Sequence, residues 1–418
     1  MLNYYRMKLI RIASRLIVGS VFVFSGFVKA VDPLGTAYKF RDYFEAFHID
    51  FLNFLSLVLA ILLCVTELVI GFNLLLGIRI KITSWVLLIF MSGFTAITLK
   101  LAISNPVTDC GCFGDAIILT NWETFWKNII LFVPAMFIFY HRSNYTQQYH
   151  LYTEWLLTVA FFLFGFILAS YSFFHLPVLD FRPYKTGTNI QEKMTIPEGS
   201  PVEEYQFSFI YQKDGRQKEF TLENIPDSTW QWVETRQKLI RKGYVPKIHD
   251  FSITTLDGDE ITQEVLSDKG YSFLIIAWDL EKTNEKAFKK LNQLSVEIDS
   301  ATCRFYCLTS STYDVIDDFI SRNKPNFRLY TADNITLKTI IRSNPGLLLI
   351  KEGTILGKWH SGNIPLGIKN DLMSYSLSKL HLEKSRLIIC LYIVGFLLFV
   401  TLFQYCTLRF CSKKENQK

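Results

Sequence analysis

Six stretches of the chain are apolar with few charges: residues 9–29, 51–77, 82–103, 125–140, 155–177 and 386–408. A helix needs roughly 20 apolar residues to cross the hydrocarbon core of a bilayer, and most of these stretches reach that length. The run at 125–140 is short, but Trp122 and Trp126 extend it as interfacial anchors. The pattern predicts six membrane spans. Between the first two, residues 32–47 open on a turn at Asp32-Pro33. They then place Tyr38, Phe40, Tyr43, Phe44 and Phe47 at near-helical spacing, which predicts an amphipathic helix lying at the membrane interface.

After the fifth span the period changes. Tyr205 to Tyr211 alternates, Asp214-Gly215 turns, and Lys218 to Leu222 alternates again, a hairpin signature. Residues 229–244 look helical or mixed. From Ile248 onward, apolar strands (Tyr271 to Trp278, Cys303 to Leu308, Phe327 to Tyr330, Leu347 to Ile350) alternate with amphipathic helices at 283–299, 313–323 and 334–342. Buried strands alternating with helices predict an α/β domain with a central sheet. The fold class expected is a multi-pass α-helical membrane bundle plus an extracytoplasmic α/β domain. Its divisions fall at 1–145, 146–179 (fifth span), 180–247 (β-rich linker region), 248–382 (α/β domain) and 383–418 (sixth span and basic tail).

The net charge of +6 is placed by topology, and no nucleic-acid partner is expected. Arg6, Lys8, Arg11 and Arg15 precede the first span, Arg79 and Lys81 lie between the second and third, and Arg142 follows the fourth. Arg409, Lys413, Lys414 and Lys418 follow the last. The positive-inside rule puts all four groups in the cytoplasm, and six spans accommodate this without contradiction. Both termini are then cytoplasmic, while residues 30–50, the loop at 104–123 and residues 178–385 lie outside. A cleaved leader ending at Val28-Lys29-Ala30 would leave an odd number of spans, and Lys29 fits such a site poorly.

Two of the eight cysteines stand one residue apart in that outer loop, Asp109-Cys110-Gly111-Cys112-Phe113-Gly114-Asp115. A thiol–disulfide exchange pair needs two sulfurs within bonding reach. One intervening residue permits that only in a strained ring, and glycine removes a side-chain clash. Other readings stay open. The pair could be a static disulfide closing the loop, two free thiols with a packing role, or two ligands of a metal site helped by Asp109 and Asp115. No adjacent His or Cys completes a tetrahedral set. In the second span, Glu67 is expensive in lipid, so it should face the bundle and have a partner: a Ser, Thr or backbone group, or a proton path or ligand. Cys64 shares its face. It is a small buried hydrophobe or, nearer the outer end of the span, a third resolving thiol. Cys303 and Cys307 share a strand face about 13 Å apart, too far for a disulfide, and read as core. No phosphate loop, catalytic triad, haem motif or nucleic-acid motif appears; no cofactor is expected, and no residue is assigned as a metal ligand.

Residues 1–145 resemble the DoxX and MauE (methylamine utilisation) group of four-helix membrane proteins. The residues that carry this are Phe24-Ser25-Gly26-Phe27-Val28-Lys29, Glu67 with Gly71 and Gly77, and Asp109-Cys110-Gly111-Cys112-Phe113-Gly114. The resemblance implies a bundle associated with thiol redox chemistry outside the cytoplasm. Residues 248–362 look like a peroxiredoxin-like thioredoxin fold, through Asp250-Phe251-Ser252 and through Asn344-Pro345-Gly346, where that fold carries a cis-proline. The family's Cys-x-x-Cys is missing: Trp278-Asp279-Leu280-Glu281-Lys282 stands in its place. The arrangement resembles fused DoxX-family proteins of bacteria with an outer membrane. That implies a multi-pass inner-membrane protein with residues 178–385 periplasmic. Two functions follow as expectations. One is extracytoplasmic thiol–disulfide exchange, or maturation of an envelope protein, through Cys110 and Cys112, with an envelope client or redox partner. The other is a non-enzymatic scaffold whose degenerate thioredoxin-like domain binds partners.

Overall fold

The computed structural model describes residues 2–107, 109–145, 150–213, 215–241, 243–298, 303–368 and 374. The sixth apolar stretch, the basic tail and most of 369–382 fall outside the described residues. Six helices form the amino-terminal part: α1 (Leu2–Val31), α2 (Pro33–Ala46), α3 (Ser56–Leu76), α4 (Ile80–Ser104), α5 (Asn121–Tyr140) and α6 (Leu151–Phe174). A 3-10 turn at Asp50–Leu55 runs into α3. Among the described residues, four stretches are long and apolar enough to cross a membrane: Tyr5–Val31, Asp50–Leu76, Ile80–Ser104 and Leu151–Phe174. This is a multi-pass membrane protein. Helix α5, expected as the fourth span, carries Glu123 and Lys127 in its first turns and is not one of those four. It packs on α4 and α1, and its Leu131, Ala135 and Ile138 join Val18, Phe22, Leu74, Leu87 and Met91 in the bundle core.

Helices α1 and α3 pack along a seam of small residues, the usual way for helices to approach closely in lipid. A side chain on Gly26 would put a Cβ 2.8 Å from the Cys64 carbonyl oxygen, and one on Gly71 would lie 2.6 Å from the Val23 nitrogen. That approach brings Lys29 of α1 across to Glu67 of α3. Helix α4 stops at Asn105, just before Pro106. Thr120 caps the start of α5. Its hydroxyl accepts from the Glu123 nitrogen, and the Glu123 carboxylate reaches back to the Thr120 nitrogen. Asn121 donates to Asn105 Oδ1 (2.9 Å) and to the Val107 carbonyl (2.7 Å), tying the two ends of the cysteine loop together.

The predicted hairpin is present as β1 (Glu204–Lys213) and β2 (Arg216–Thr221), and β3 (Gln231–Arg241) completes a sheet in the order β2-β1-β3. The sequence expectation of helix or mixed structure at 229–244 is therefore incorrect. Charged and polar residues hide the two-residue period there, and the open edge of β1 decides the conformation by pairing.

Residues 180–194, expected within the linker region, pack on the next domain. Tyr184 and Ile190 enter its core, backbone hydrogen bonds join residues 187–190 to 353–355, and α7 (Ile190–Met194) follows. That domain runs through α8 (Thr262–Leu266), β4 (Tyr271–Ile276), α9 (Glu285–Glu297), β5 (Cys303–Thr309), α10 (Tyr313–Asn323), β6 (Arg328–Thr331), α11 (Asn334–Ile340), β7 (Gly346–Lys351) and β8 (Thr354–His360). The strand order is β6-β5-β4-β7-β8, with β4, β5 and β6 parallel and β7 and β8 antiparallel. This is the thioredoxin-like arrangement that the sequence resemblance implies. Alternate residues of each strand fill two cores. Phe273, Ile275, Cys303, Cys307, Leu347 and Leu349 face α9 and α10, while Leu274, Ile276, Leu308, Leu348 and Ile350 face α8 and α11. A sheet buried on both faces explains why these strands read as continuous apolar runs.

Candidate functional site

The loop between α4 and α5 puts Cys110 and Cys112 against the end of α1. Their Sγ atoms are 2.9 Å apart and both side chains are buried. Gly111 takes φ +64°, in the left-handed region, and its carbonyl accepts from the Gly114 nitrogen at 3.0 Å. A residue without Cβ meets that backbone requirement. It also leaves room for Lys39, whose Cγ would stand 3.0 Å from an added Cβ. The loop is fastened from three sides. Lys39 Nζ of α2 contacts Asp109 Oδ1 at 2.6 Å, and the Tyr43 hydroxyl donates to the Cys110 carbonyl. From α1, Ser25 Oγ donates to the Cys112 carbonyl at 2.9 Å and Lys29 Nζ donates to the same oxygen at 2.6 Å. From α5, Lys127 Nζ lies 4.4 Å from the centre of the Phe113 ring.

The two thiols are made unequal by this setting. Cys112 is pushed down, first by the hydrogen bond from Cys110 and then by the Lys127 and Lys29 charges, which together outweigh burial. Cys110 is pushed up by its hydrogen bond to Cys112, by burial and by the Cys112 charge. The Lys127 and Lys29 charges favour the thiolate form at Cys112.

Glu67 has a partner the sequence reading did not name. Its carboxylate oxygens lie 2.8 and 3.0 Å from Lys29 Nζ, and both side chains are buried. A signal was present, since Lys29 ends the first apolar span and Glu67 is the charged residue of the next. Lys39, Tyr43, Lys127 and Ser25 were missed as well, because nothing in their local sequence points to the cysteine loop. Cys64 is not brought to the pair: it packs with Ala30, Val65 and Leu68, and its thiol lies 3.1 Å from the Ile61 carbonyl. Cys303 and Cys307 sit in the α/β core, where burial pushes Cys303 up to about 12 and Cys307 higher still.

Asp115 reaches into the other domain. Arg342, just before the cis Asn344-Pro345 bond, has Nη2 3.4 Å from Asp115 Oδ2 and 2.9 Å from Asp32 Oδ2, while its Nε lies 3.1 and 3.0 Å from the two Asp32 oxygens. Lys338 of α11 lies over Tyr38 of α2 (5.3 Å) and over Trp278 (4.9 Å), the residue that opens the thiol-free stretch 278–282. Through Lys338 and Arg342 the thioredoxin-like domain faces α2 and the cysteine loop. Between the two lies a cavity of about 600 Å³, bordered by Asp109, Gly111, Gly114 and Asp115 on one side and by Lys338 and Arg342 on the other.

Residues 7–141 match the family described as Methylamine utilisation protein MauE, and residues 205–242, the three-stranded sheet, match a domain of unknown function, DUF8463. No curated protein matches the chain. Among solved structures, a putative protein disulfide isomerase from Bacteroides thetaiotaomicron is 18% identical, covering 28% of this chain and 77% of its own (TM-score 0.23). StoA from Bacillus subtilis is 18% identical, covering 26% and 84% (0.22). A secreted Mycobacterium tuberculosis disulfide oxidoreductase homologous to E. coli DsbE is 18% identical, covering 31% and 95% (0.23).

Proposed function

We propose that this protein is a membrane thiol–disulfide exchange protein whose redox pair is Cys110 and Cys112, acting on an envelope protein. The observation that carries the reading is the 2.9 Å approach of two sulfurs in a buried, fastened loop. In the reducing direction, the Cys112 thiolate attacks a client disulfide. An S–S bond forms between Cys112 and the client, and the displaced client thiolate takes a proton. Cys110, having lost its proton, then attacks Cys112 Sγ. The mixed disulfide breaks, the second client thiol leaves, and a Cys110–Cys112 disulfide remains. Two electrons have passed to the client. The reverse sequence oxidises a client dithiol.

The loop, α2 and the α/β domain are assigned to the outer face, where disulfides persist. The basic end of the bundle supports this. Arg11 Nη1 donates to the Asn144 carbonyl at 2.6 Å, and Arg15 reaches the Leu74 and Leu75 carbonyls, so the start of α1, the α3–α4 turn and the end of α5 lie together. The cysteine loop caps the opposite end of α1. A second reading, a scaffold without chemistry, is favoured by the thiol-free Trp278 to Lys282 stretch.

Thiol trapping in membranes separates the two readings. Exchange predicts that Cys110→Ser accumulates a mixed disulfide at Cys112 and that Cys112→Ser does not. A pair that stays oxidised under every condition and never forms a mixed disulfide leaves the scaffold. Labelling of a cysteine introduced at Ile118 by an impermeant reagent from the outside supports the topology, and labelling only after permeabilisation overturns it.

A further inference from the structure

A buried ion pair lies directly beneath the cysteine loop, and the exchange steps above do not use it. Lys29 Nζ donates to four oxygens: Ser25 Oγ at 2.6 Å, Glu67 Oε2 at 2.8 Å, Glu67 Oε1 at 3.0 Å and the Cys112 carbonyl at 2.6 Å. Lys29 and Glu67 are 3% and 4% exposed. We propose that Lys29, with Glu67 as its counterion, is a positioning residue that fixes the Cys112 backbone and supplies the positive charge its thiolate meets. The proposal rests on the exchange reading of the pair and deepens it.

A packing role alone accounts poorly for these groups. Ser25 already holds the Cys112 carbonyl, so a lysine is not needed to satisfy that oxygen. Placing two charges inside a membrane bundle is costly, and apolar residues of similar volume hold helices together as well or better. What an ammonium adds is a field at the residue whose carbonyl it touches, where little water screens it. Its reach is kept by the carboxylate on its far side, which neutralises it without displacing it. The other charged or titratable groups around Cys112 are Cys110 and Asp109 in its own loop, Tyr43 and Lys39 from α2, and Lys127 from α5. Asp109 is occupied by Lys39, so Lys127 and Lys29 are the cations left to face the thiolate. Lys29 favours the Cys112 thiolate and Glu67 opposes it.

This arrangement predicts opposite effects from neutralising the two partners. In the full-length protein in membranes, the alkylation rate of Cys112 is followed against pH, with the labelled peptide identified by mass spectrometry. Lys29→Met moves the midpoint up, by on the order of one pH unit or tenfold in rate below the midpoint. Glu67→Gln, which keeps the shape and removes the opposing charge, moves it down. Lys29→Arg restores it toward wild type. A structural role moves both neutral variants the same way, or neither, and that result overturns the proposal. If Lys29→Met does not accumulate, Glu67→Gln decides alone: a downward shift supports the proposal, and an unchanged or upward midpoint overturns it. Mixed-disulfide trapping with unmutated Lys29 and Glu67 reports separately on the exchange reading. Trapping with no opposite shift sinks only the role of Lys29; opposite shifts with no trapping sink only the exchange reading.

Discussion

Replacing Arg342 by methionine should release the thioredoxin-like domain from the cysteine loop. The guanidinium joins the domains through Asp32 and Asp115, and the two contacts differ in weight. Against Asp32 it makes three approaches of 2.9–3.1 Å, with the two side chains 7% and 18% exposed. Against Asp115 it makes one approach of 3.4 Å to a carboxylate that is 41% exposed, so solvent screening reduces that contact to at most about 1 kcal/mol. Removing one partner of a buried pair costs about 3–5 kcal/mol, because the other charge stays buried and unpaired. Methionine keeps most of the apolar stem, so the loss is chiefly electrostatic. At about 1.4 kcal/mol per tenfold, the undocked population should rise by a factor of the order of 10²–10³. Hydrogen exchange by mass spectrometry reads this on α2 and α11, with the β4–β7 core as an internal control. Both helices should lose protection while the core keeps it. Unchanged protection of α2 would show that the Arg342 bridge does not hold the domains together. Acid should mimic the substitution. Burial opposes the Asp32 charge, but Arg342 and Arg182 hold its carboxyl below the usual carboxylate range. A lowered carboxylate contributes stability that is present above its unfolded range and lost as pH falls through its folded one, so docking should weaken only on strong acidification.

Cys110→Ala should raise the alkylation midpoint of Cys112 toward the ordinary thiol range, since the hydrogen bond from Cys110 is the largest cause of its depression. An unmoved midpoint would assign that depression to Lys127 and Lys29 instead. Gly111→Ala should cost about 1 kcal/mol from the left-handed backbone alone, more as Lys39 is displaced, and thermal unfolding in detergent should show the lower midpoint. Cys303→Ala with Cys307→Ala should leave mixed-disulfide trapping at Cys112 intact, because both thiols are enclosed in the α/β core; loss of trapping in a stably folded variant would mean they take part.

Much of the architecture was legible in one dimension because burial writes itself into period. The β4, β5 and β7 runs are continuous because both faces of the sheet are covered, and α9 and α10 are amphipathic because only one face is. Residues 231–241 were misread because that strand lies in a largely exposed sheet, where no apolar stripe marks the period. Thr120 and Asn121 are both capping types, and only the reciprocal bond with Glu123 distinguishes them.

The sequence alone determined the apolar lengths that cross a membrane, the α/β alternation, the pair of cysteines one glycine apart, and the need of Glu67 for a partner. Those follow from rules that act within a span, a strand or a turn. Only the tertiary structure decided that the partner is Lys29, that the Lys29 ammonium also holds the Cys112 carbonyl, and that Arg342, 227 residues beyond Asp115, closes on the same loop. Charge pairing is set by distance in space, and neither residue type nor spacing along the chain records which helix end will meet which loop.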